Sequence, residues 1–266
     1  MKKIFLLLAI MLGVYGVSYS YNNTYAVIVG INDYSSNPLK YCVADANAFY
    51  NFLRSDAGGA VPAENIYLVT DAQATTDNVI AKAKKLFAKA GKKDRVIFYF
   101  SGHGSRYGVA MYDNTMYYKD IKNFFRVAKC DTKLVFIDAC HTGSVKSAQK
   151  VSVPRFYEKA DKIRGIKEKK NKNDLSDMNI AVMTAAKSDE VGWDTSEYQM
   201  AVFTHFLIKG LGGAANRDGN GYITIQELYY YVYANVAEKT SHYQTQQHPQ
   251  LFGKFDLRLI VGTVKK

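Results

Sequence analysis

The chain has 266 residues, of which 48% are hydrophobic and 22% charged, with a formal net charge of +11. That length is enough for a sizeable core in one large or two small domains, and the composition is that of a soluble globular protein. Lys2 and Lys3 lie in a segment expected to be removed, and residues 146–172 hold ten Lys/Arg against Glu158, Asp161 and Glu168, so about +2 is left for the rest, too little for a nucleic-acid-binding face.

Two lysines, an apolar run over residues 4–17 and small residues Ser18 and Ser20 read as a secretory signal cut after Ser20. The run is short for a bilayer span, so the expectation is a secreted or periplasmic protein with no membrane contact after cleavage. No cysteine ends the run, so a lipoprotein anchor is not supported.

Residues 25–31 read as a first buried strand and 32–38 as a turn-rich loop. Residues 39–53 space Tyr41, Cys42, Ala46, Phe49 and Phe52 as a helix, and Gly58 and Gly59 end it. A strand over 64–70 and a helix over 76–90 follow, the latter with Val79, Ile80, Ala83, Leu86 and Phe87 on one face. Residues 95–101 form an apolar strand running into Gly102-His103-Gly104. After a hairpin around Asp113 and Asn114 and a helix over 118–128, the strand at 132–138 runs into Ala139-Cys140-His141.

Residues 145–178 are lysine-rich, lack apolar periodicity and read as a solvated linker. A strand over 179–185, helices over 200–211 and 222–238, and a last strand over 254–261 complete the chain. The fold class is therefore α/β, with a mostly parallel central sheet and helices on both faces. In such sheets the functional crevice lies beyond the carboxyl ends of the strands, which is where His103 and Cys140 fall.

Cys42, Cys130 and Cys140 cannot all pair, so an exported chain carries at least one free thiol, and no Cys/His spacing suggests zinc. A thiol is mostly protonated at neutral pH, and a neighbouring imidazole that takes its proton makes the nucleophile. Glycines beside both groups let the backbone approach a carbonyl closely, and strand-end N–H groups can receive an oxyanion.

Ser101-Gly-His-Gly104 and Asp138-Ala-Cys-His-Thr-Gly143 resemble the histidine and cysteine motifs of the caspase-like cysteine peptidases, and among these the metacaspases and their bacterial relatives. Residues 25–31, 184–190, Phe203-Thr204 and Gln247-His-Pro249 resemble further parts of that family, so the likeness runs from about 24 to 262. It implies a caspase-like fold. Residues 21–144 would be the large-subunit-like part, 145–178 a basic linker and 179–266 the small-subunit-like part.

The resemblance further implies Cys140 as nucleophile, His103 as general base, and the N–H groups of Gly104 and Cys140 as oxyanion donors. His141, the rival imidazole, should point away on an extended backbone. Caspases proper carry glutamine where this chain has Asp138. Metacaspases carry acids there and on the first helix, matched by Asp45 in Cys42-Val-Ala-Asp45. With Ser101 adding a neutral oxygen, these acids imply cleavage of protein or peptide substrates after Lys or Arg. The basic linker then becomes a place where the enzyme would cut itself. A monomer without a required cofactor is expected.

Asn216, Asp218, Asn220, Tyr222 and Glu227 have the spacing of an EF-hand loop, with Gly221 at its sixth position. Asn216 replaces the usual aspartate, so calcium would be held weakly. The residues after the nucleophile, Ser144-Val-Lys146-Ser, do not match the metacaspase calcium cluster. Tyr229, Tyr230, Tyr231 and Tyr233 are expected to cover the sheet with hydroxyls reaching solvent. Two other readings remain: a catalytically silent binding protein on the same fold, and a caspase-like peptidase that selects a different residue before the cut.

Overall fold

The structure is a computed structural model that describes residues 21–105, 107–140, 179–187 and 189–264. The expected signal, His141 and the basic linker lie outside the described residues. The first half contains β1 (Thr24–Gly30), α1 (Cys42–Arg54), β2 (Ile66–Thr70), α2 (Thr76–Phe87) and β3 (Arg95–Ser101). Then come the short β4 (Gly104–Ser105), β5 (Gly108–Ala110) and β6 (Thr115–Tyr117), followed by α3 (Tyr118–Phe125) and β7 (Thr132–Asp138). The second half contains β8 (Ala181–Thr184), β9 (Asp194–Thr195), β10 (Met200–Ala201), α4 (Val202–Lys209) and β11 (Tyr222–Thr224). It ends with α5 (Ile225–Lys239), β12 (Gln250–Gly253) and β13 (Ile260–Thr263).

Six strands form one sheet in the order β12-β8-β7-β3-β1-β2, parallel except for β12 at the edge. Strands from both sides of the linker thus share a single sheet. The chain leaves β1 for β2 on one side and then crosses to β3 on the other. The crevice between β1 and β3 is therefore the switch point at which such sheets place their sites.

Alternation along the strands divides the core. Val27, Val29, Phe98, Phe100, Val135 and Ile137 face the cluster built by α2 and α3. Ala26, Ile28, Ile97, Tyr99, Leu134 and Phe136 face the cluster built by α1, α4 and α5. Across the second layer Phe49 of α1 stacks on Tyr99 with centroids 4.6 Å apart, and burying each such ring contributes about 1.5–3 kcal/mol. Gly30 sets how closely α1 approaches, because a Cβ there would lie 2.3 Å from the Cys42 carbonyl oxygen.

Several expected boundaries move, each for a local reason. The helix expected at 222–238 starts at Ile225, because Tyr222–Thr224 pairs antiparallel with Ile260–Thr263 and Thr224 and Glu227 cap α5 reciprocally. The last strand expected at 254–261 is confined to β13 at Ile260–Thr263, and a further strand, β12, precedes it at Gln250–Gly253. Gly253, at φ 130°, lies where a Cβ would meet the Ile180 carbonyl, and Asp256 turns the chain by accepting from the Arg258 backbone. Of the α5 tyrosines, Tyr229 and Tyr233 are core residues. The Tyr229 hydroxyl donates to the Pro249 carbonyl at 3.3 Å instead of reaching solvent.

Candidate active site

His103 and Cys140 line one small cavity of about 100 Å³ at the carboxyl edge of the sheet, together with Asp45, Ser101, Asp138 and Asp194. The register explains the meeting. Ser101 ends β3 directly beside Asp138 at the end of β7, and the Gly102 N–H donates to the Asp138 carbonyl at 3.1 Å. Both strands therefore release their reactive residues at one level.

The imidazole is held from two sides. His103 Nε2 lies 2.7 Å from the Asn37 carbonyl oxygen, which can only accept. Nε2 therefore carries the proton in the neutral ring, and Nδ1 keeps a lone pair that can take a proton from a thiol. The Tyr34 hydroxyl accepts from the His103 backbone N–H at 3.1 Å and donates to the Ala110 carbonyl at 2.8 Å. Its ring also packs against the imidazole, centroids 4.6 Å apart. Burial pushes the Tyr34 phenol up from its ordinary value, so it stays a neutral donor. Glycine is required at position 102, because a Cβ would stand 2.4 Å from that hydroxyl oxygen.

Tyr34→Phe is expected to lower kcat about tenfold with KM little changed, by freeing the loop that sets the His103 ring. Loss of the hydrogen bond should also cost about 1 kcal/mol of stability, measured by urea unfolding.

Around Cys140, the Gly192 N–H donates to Sγ at 3.3 Å. Burial pushes the thiol up from its ordinary value; the Gly192 bond opposes this, and the Asp138 charge adds to it. The sulfur therefore rests as a thiol. Ala110 N donates to the His103 carbonyl at 2.9 Å, which makes Gly104 and Val109 a non-hydrogen-bonded pair and turns the Gly104 N–H away from β5.

The segment bearing Gly192 is pinned from beneath. Gln247 accepts from the Trp193 N–H at 3.0 Å and donates to the Ala185 carbonyl at 2.8 Å. Glu190 accepts from the His248 backbone at 2.8 Å and sits 2.7 Å from His248 Nδ1. Burial would push the Glu190 carboxyl up, but its bonds to His248 and the charges of His248 and Lys187 outweigh that and hold it below the ordinary value.

The acids form the cavity's other pole. Asp45, 1% exposed, accepts from Ser101 Oγ at 2.7 Å and from the Ala201 N–H at 2.8 Å. Asp138 Oδ2 accepts from Thr204 Oγ1 at 2.7 Å and from Thr204 N at 3.2 Å. The Thr204 hydroxyl spends its hydrogen on Asp138, so the Tyr99 hydroxyl, 2.6 Å away, is the donor in that pair. Asp138 Oδ1 takes no hydrogen bond among the described residues, and a Cβ built on Gly192 would lie 3.7 Å from it.

Burial, then the nearby Asp138 charge, pushes Asp45 well above the ordinary carboxylate value. Burial pushes Asp138 up to about 6 against the Thr204 bonds that lower it, and Asp194 raises it further. Among the described residues no Lys or Arg lines the cavity. A hollow with three aspartates and no cation is short of positive charge.

The EF-hand-like residues are not arranged as an ion cage. Glu227 Oε2 accepts from Thr224 N and Oγ1 at 2.9 and 2.8 Å as the cap of α5. Asp218 takes the Asn220 N–H on one oxygen and the Asn220 amide on the other, at 3.0 and 2.7 Å, while Asn220 Oδ1 accepts from Tyr222 N. With its amide turned so that both ends are satisfied, Asn216 accepts from the Gly221 N–H and donates to the Tyr222 carbonyl in the same turn. In this structure these oxygens turn the chain and cap α5. Among the described residues no group of three or more His, Cys, Asp or Glu could hold a metal.

Comparison with known proteins agrees with this geometry. The family model described as the caspase domain matches residues 23–258. The chain belongs to the caspase-domain family of cysteine peptidases, whose substrates are proteins. Metacaspase-1 of the yeast Meyerozyma guilliermondii is 27% identical over 148 residues, which are 45% of this chain and 35% of that protein. A probable protease of a Desulfuromonadales bacterium is 35% identical over 96 residues, 30% of this chain and 12% of that one. The chain thus spans about a third or less of the length of these relatives.

Among solved structures, caspase-1 of Spodoptera frugiperda superposes with a TM-score of 0.63 at 13% identity, covering 93% of this chain and 94% of that one. A protein of Geobacter sulfurreducens gives 0.58 at 16% identity, covering 91% and 100%. Both show the caspase-like fold.

The sequence reading missed Tyr34, Asn37, Gly192 and Asp194. It quoted Glu190, Thr204, Gln247 and His248 only inside motifs. Asn37 acts through its carbonyl at φ 53°, a left-handed position that asparagine tolerates, so its residue type signalled a turn and not a site. Asp194 carried a weak signal, an acid shortly before the apolar run that becomes α4.

Proposed function

We propose that this protein is an exported cysteine endopeptidase that cleaves after Lys or Arg. The observation that carries the reading is the cavity that joins Cys140 and His103 to Asp45, Asp138 and Asp194, with no Lys or Arg among its described lining residues. A substrate Lys or Arg entering it would meet the uncommitted Oδ1 of Asp138 directly. Asp45 and Asp194 would supply field, and Ser101 Oγ, already donating to Asp45, a further acceptor.

In the reaction, His103 Nδ1 takes the Cys140 proton as sulfur attacks the carbonyl carbon. The oxyanion is received by the N–H groups of Gly104 and Cys140. The imidazolium returns the proton to the leaving amine, giving a thioester and the first product. Water, deprotonated by the same imidazole, then hydrolyses the thioester and restores the thiol. The Asn37 carbonyl holds the ring's tautomer through both steps. Scanning the residue before the cut with a positional peptide library tests the reading; preference for Asp at that position would overturn it.

No cofactor enters this scheme. Because the Asp218 and Glu227 oxygens are committed to the loop and cap, calcium and EGTA are each expected to leave kcat/KM unchanged within about twofold. A tenfold loss in EGTA, restored by calcium, would refute this. The lysine-rich segment at 145–178 supplies bonds of the selected type, so self-cleavage there belongs to the same proposal, as does export by removal of residues 1–20. Amino-terminal sequencing of the exported protein should begin at Tyr21.

A further inference from the structure

At the opposite end of the sheet, where β1 and β3 begin, lies a larger cavity of about 360 Å³. Its walls include Phe52, Leu53, Ile97, Phe136 and Leu211, and Arg95 also lines it. Arg95 is 7% exposed. Its Nε donates to Thr24 Oγ1 at 3.2 Å and its Nη1 to the Val261 carbonyl at 2.5 Å, while the Tyr21 ring covers the guanidinium at 4.7 Å.

All of these partners are neutral. Among the described residues no carboxylate pairs with Arg95. Its neighbour Asp94 is turned away, accepting from Asn23 and Gly91. A buried cation without a counter-charge is costly, and burial holds this guanidinium below its ordinary pKa. After the bonds to Thr24 and Val261, Nη2 and one hydrogen of Nη1 remain, the pair with which a guanidinium grips a carboxylate in parallel.

We propose that this cavity binds a small carboxylate with an apolar body, its two oxygens on Nη1 and Nη2 of Arg95 and its body against Phe52, Leu53 and Phe136. One positive charge matches one carboxylate, whereas a phosphate dianion would call for a second cation, and Arg95 is the only Lys or Arg among the described residues that line the cavity. The volume suits a ligand of modest size. The chemistry is shared by a free aromatic or aliphatic acid and by a peptide's carboxyl terminus ending in an apolar residue. This site lies apart from Cys140 and does not depend on the cleavage reading.

The test is calorimetric titration of the purified protein with 3-phenylpropionate and with N-acetylphenylalanine, each beside its neutral amide. Saturable binding of an acid, at least about tenfold tighter than its amide, is expected. Arg95→Met should remove that preference. Ala57→Phe, placed at the cavity's exposed rim, should weaken the acid about tenfold. Preference for the free acid or for the N-acetyl residue distinguishes the two sources. Equal binding of acid and amide, or no binding of either up to about 10 mM, would overturn the proposal. The amide comparison is made on the wild-type chain, so it decides even if Arg95→Met does not fold.

Discussion

Cys140→Ala is expected to abolish peptide cleavage, a fall of about 10⁴-fold or more in kcat, while substrate still binds. Alanine keeps the end of β7 in register and leaves Asp138 and its Thr204 bonds in place, so a change in stability beyond about 1 kcal/mol is not expected. Full activity in the variant would sink the mechanism.

His103→Ala should be nearly as severe at neutral pH, but with a different signature. Burial keeps Cys140 a thiol at rest, so without its base the enzyme depends on spontaneous ionisation. Residual activity should then climb about tenfold per pH unit through the alkaline range, because only the thiolate attacks. A flat profile would mean that another group takes the proton. Intact masses of wild type and Cys140→Ala test self-processing in the same experiment: identical masses exclude it.

The sheet and the meeting of His103 with Cys140 at its carboxyl edge were legible because each depends on a local pattern. Apolar runs of strand length ended in Gly-His103-Gly and Ala-Cys140, and parallel order followed from the alternation with helices. Asp45 and Asp138 were legible only through family likeness, since a carboxylate in a first helical turn has the ordinary reading of a surface residue. What escaped the sequence was whatever acts through the backbone or through long-range contact. The Asn37 carbonyl fixes the His103 tautomer without any demand on side-chain type. Glu190 and His248 pin the Gly192 segment across 58 positions of chain, and only folding brings them together. The EF-hand-like loop also turns the chain into α5. Its oxygens have calcium spacing, but Thr224 and Glu227 satisfy the α5 N-terminus with each other.

Selection for charge at the residue before the cut should itself depend on pH, and the sign follows from Asp138. Burial raises this acid to about 6, so below that pH it is neutral and its pull on a substrate cation is lost. In the unliganded protein the same shift favours the fold most below 3.8, the ordinary value, and that contribution disappears as pH rises through about 6. At neutral pH the empty site therefore opposes folding, and a bound Lys or Arg side chain relieves the strain of like charges.

Comparing peptides that carry arginine or citrulline before the cut isolates this effect. The two side chains share shape and differ in charge, and contributions from His103 and Cys140 cancel in the ratio of their kcat/KM values. The ratio should be about 10²-fold or more above pH 7, where a desolvated charge pair forms, and fall about tenfold per unit below pH 6. Asp138→Asn keeps an oxygen to accept from Thr204 but removes the charge, so it should collapse the ratio and flatten its pH dependence. A ratio near one at neutral pH in the wild type would refute a cation-selecting pocket. A large but pH-independent ratio would move the decisive charge from Asp138 to the more exposed Asp194.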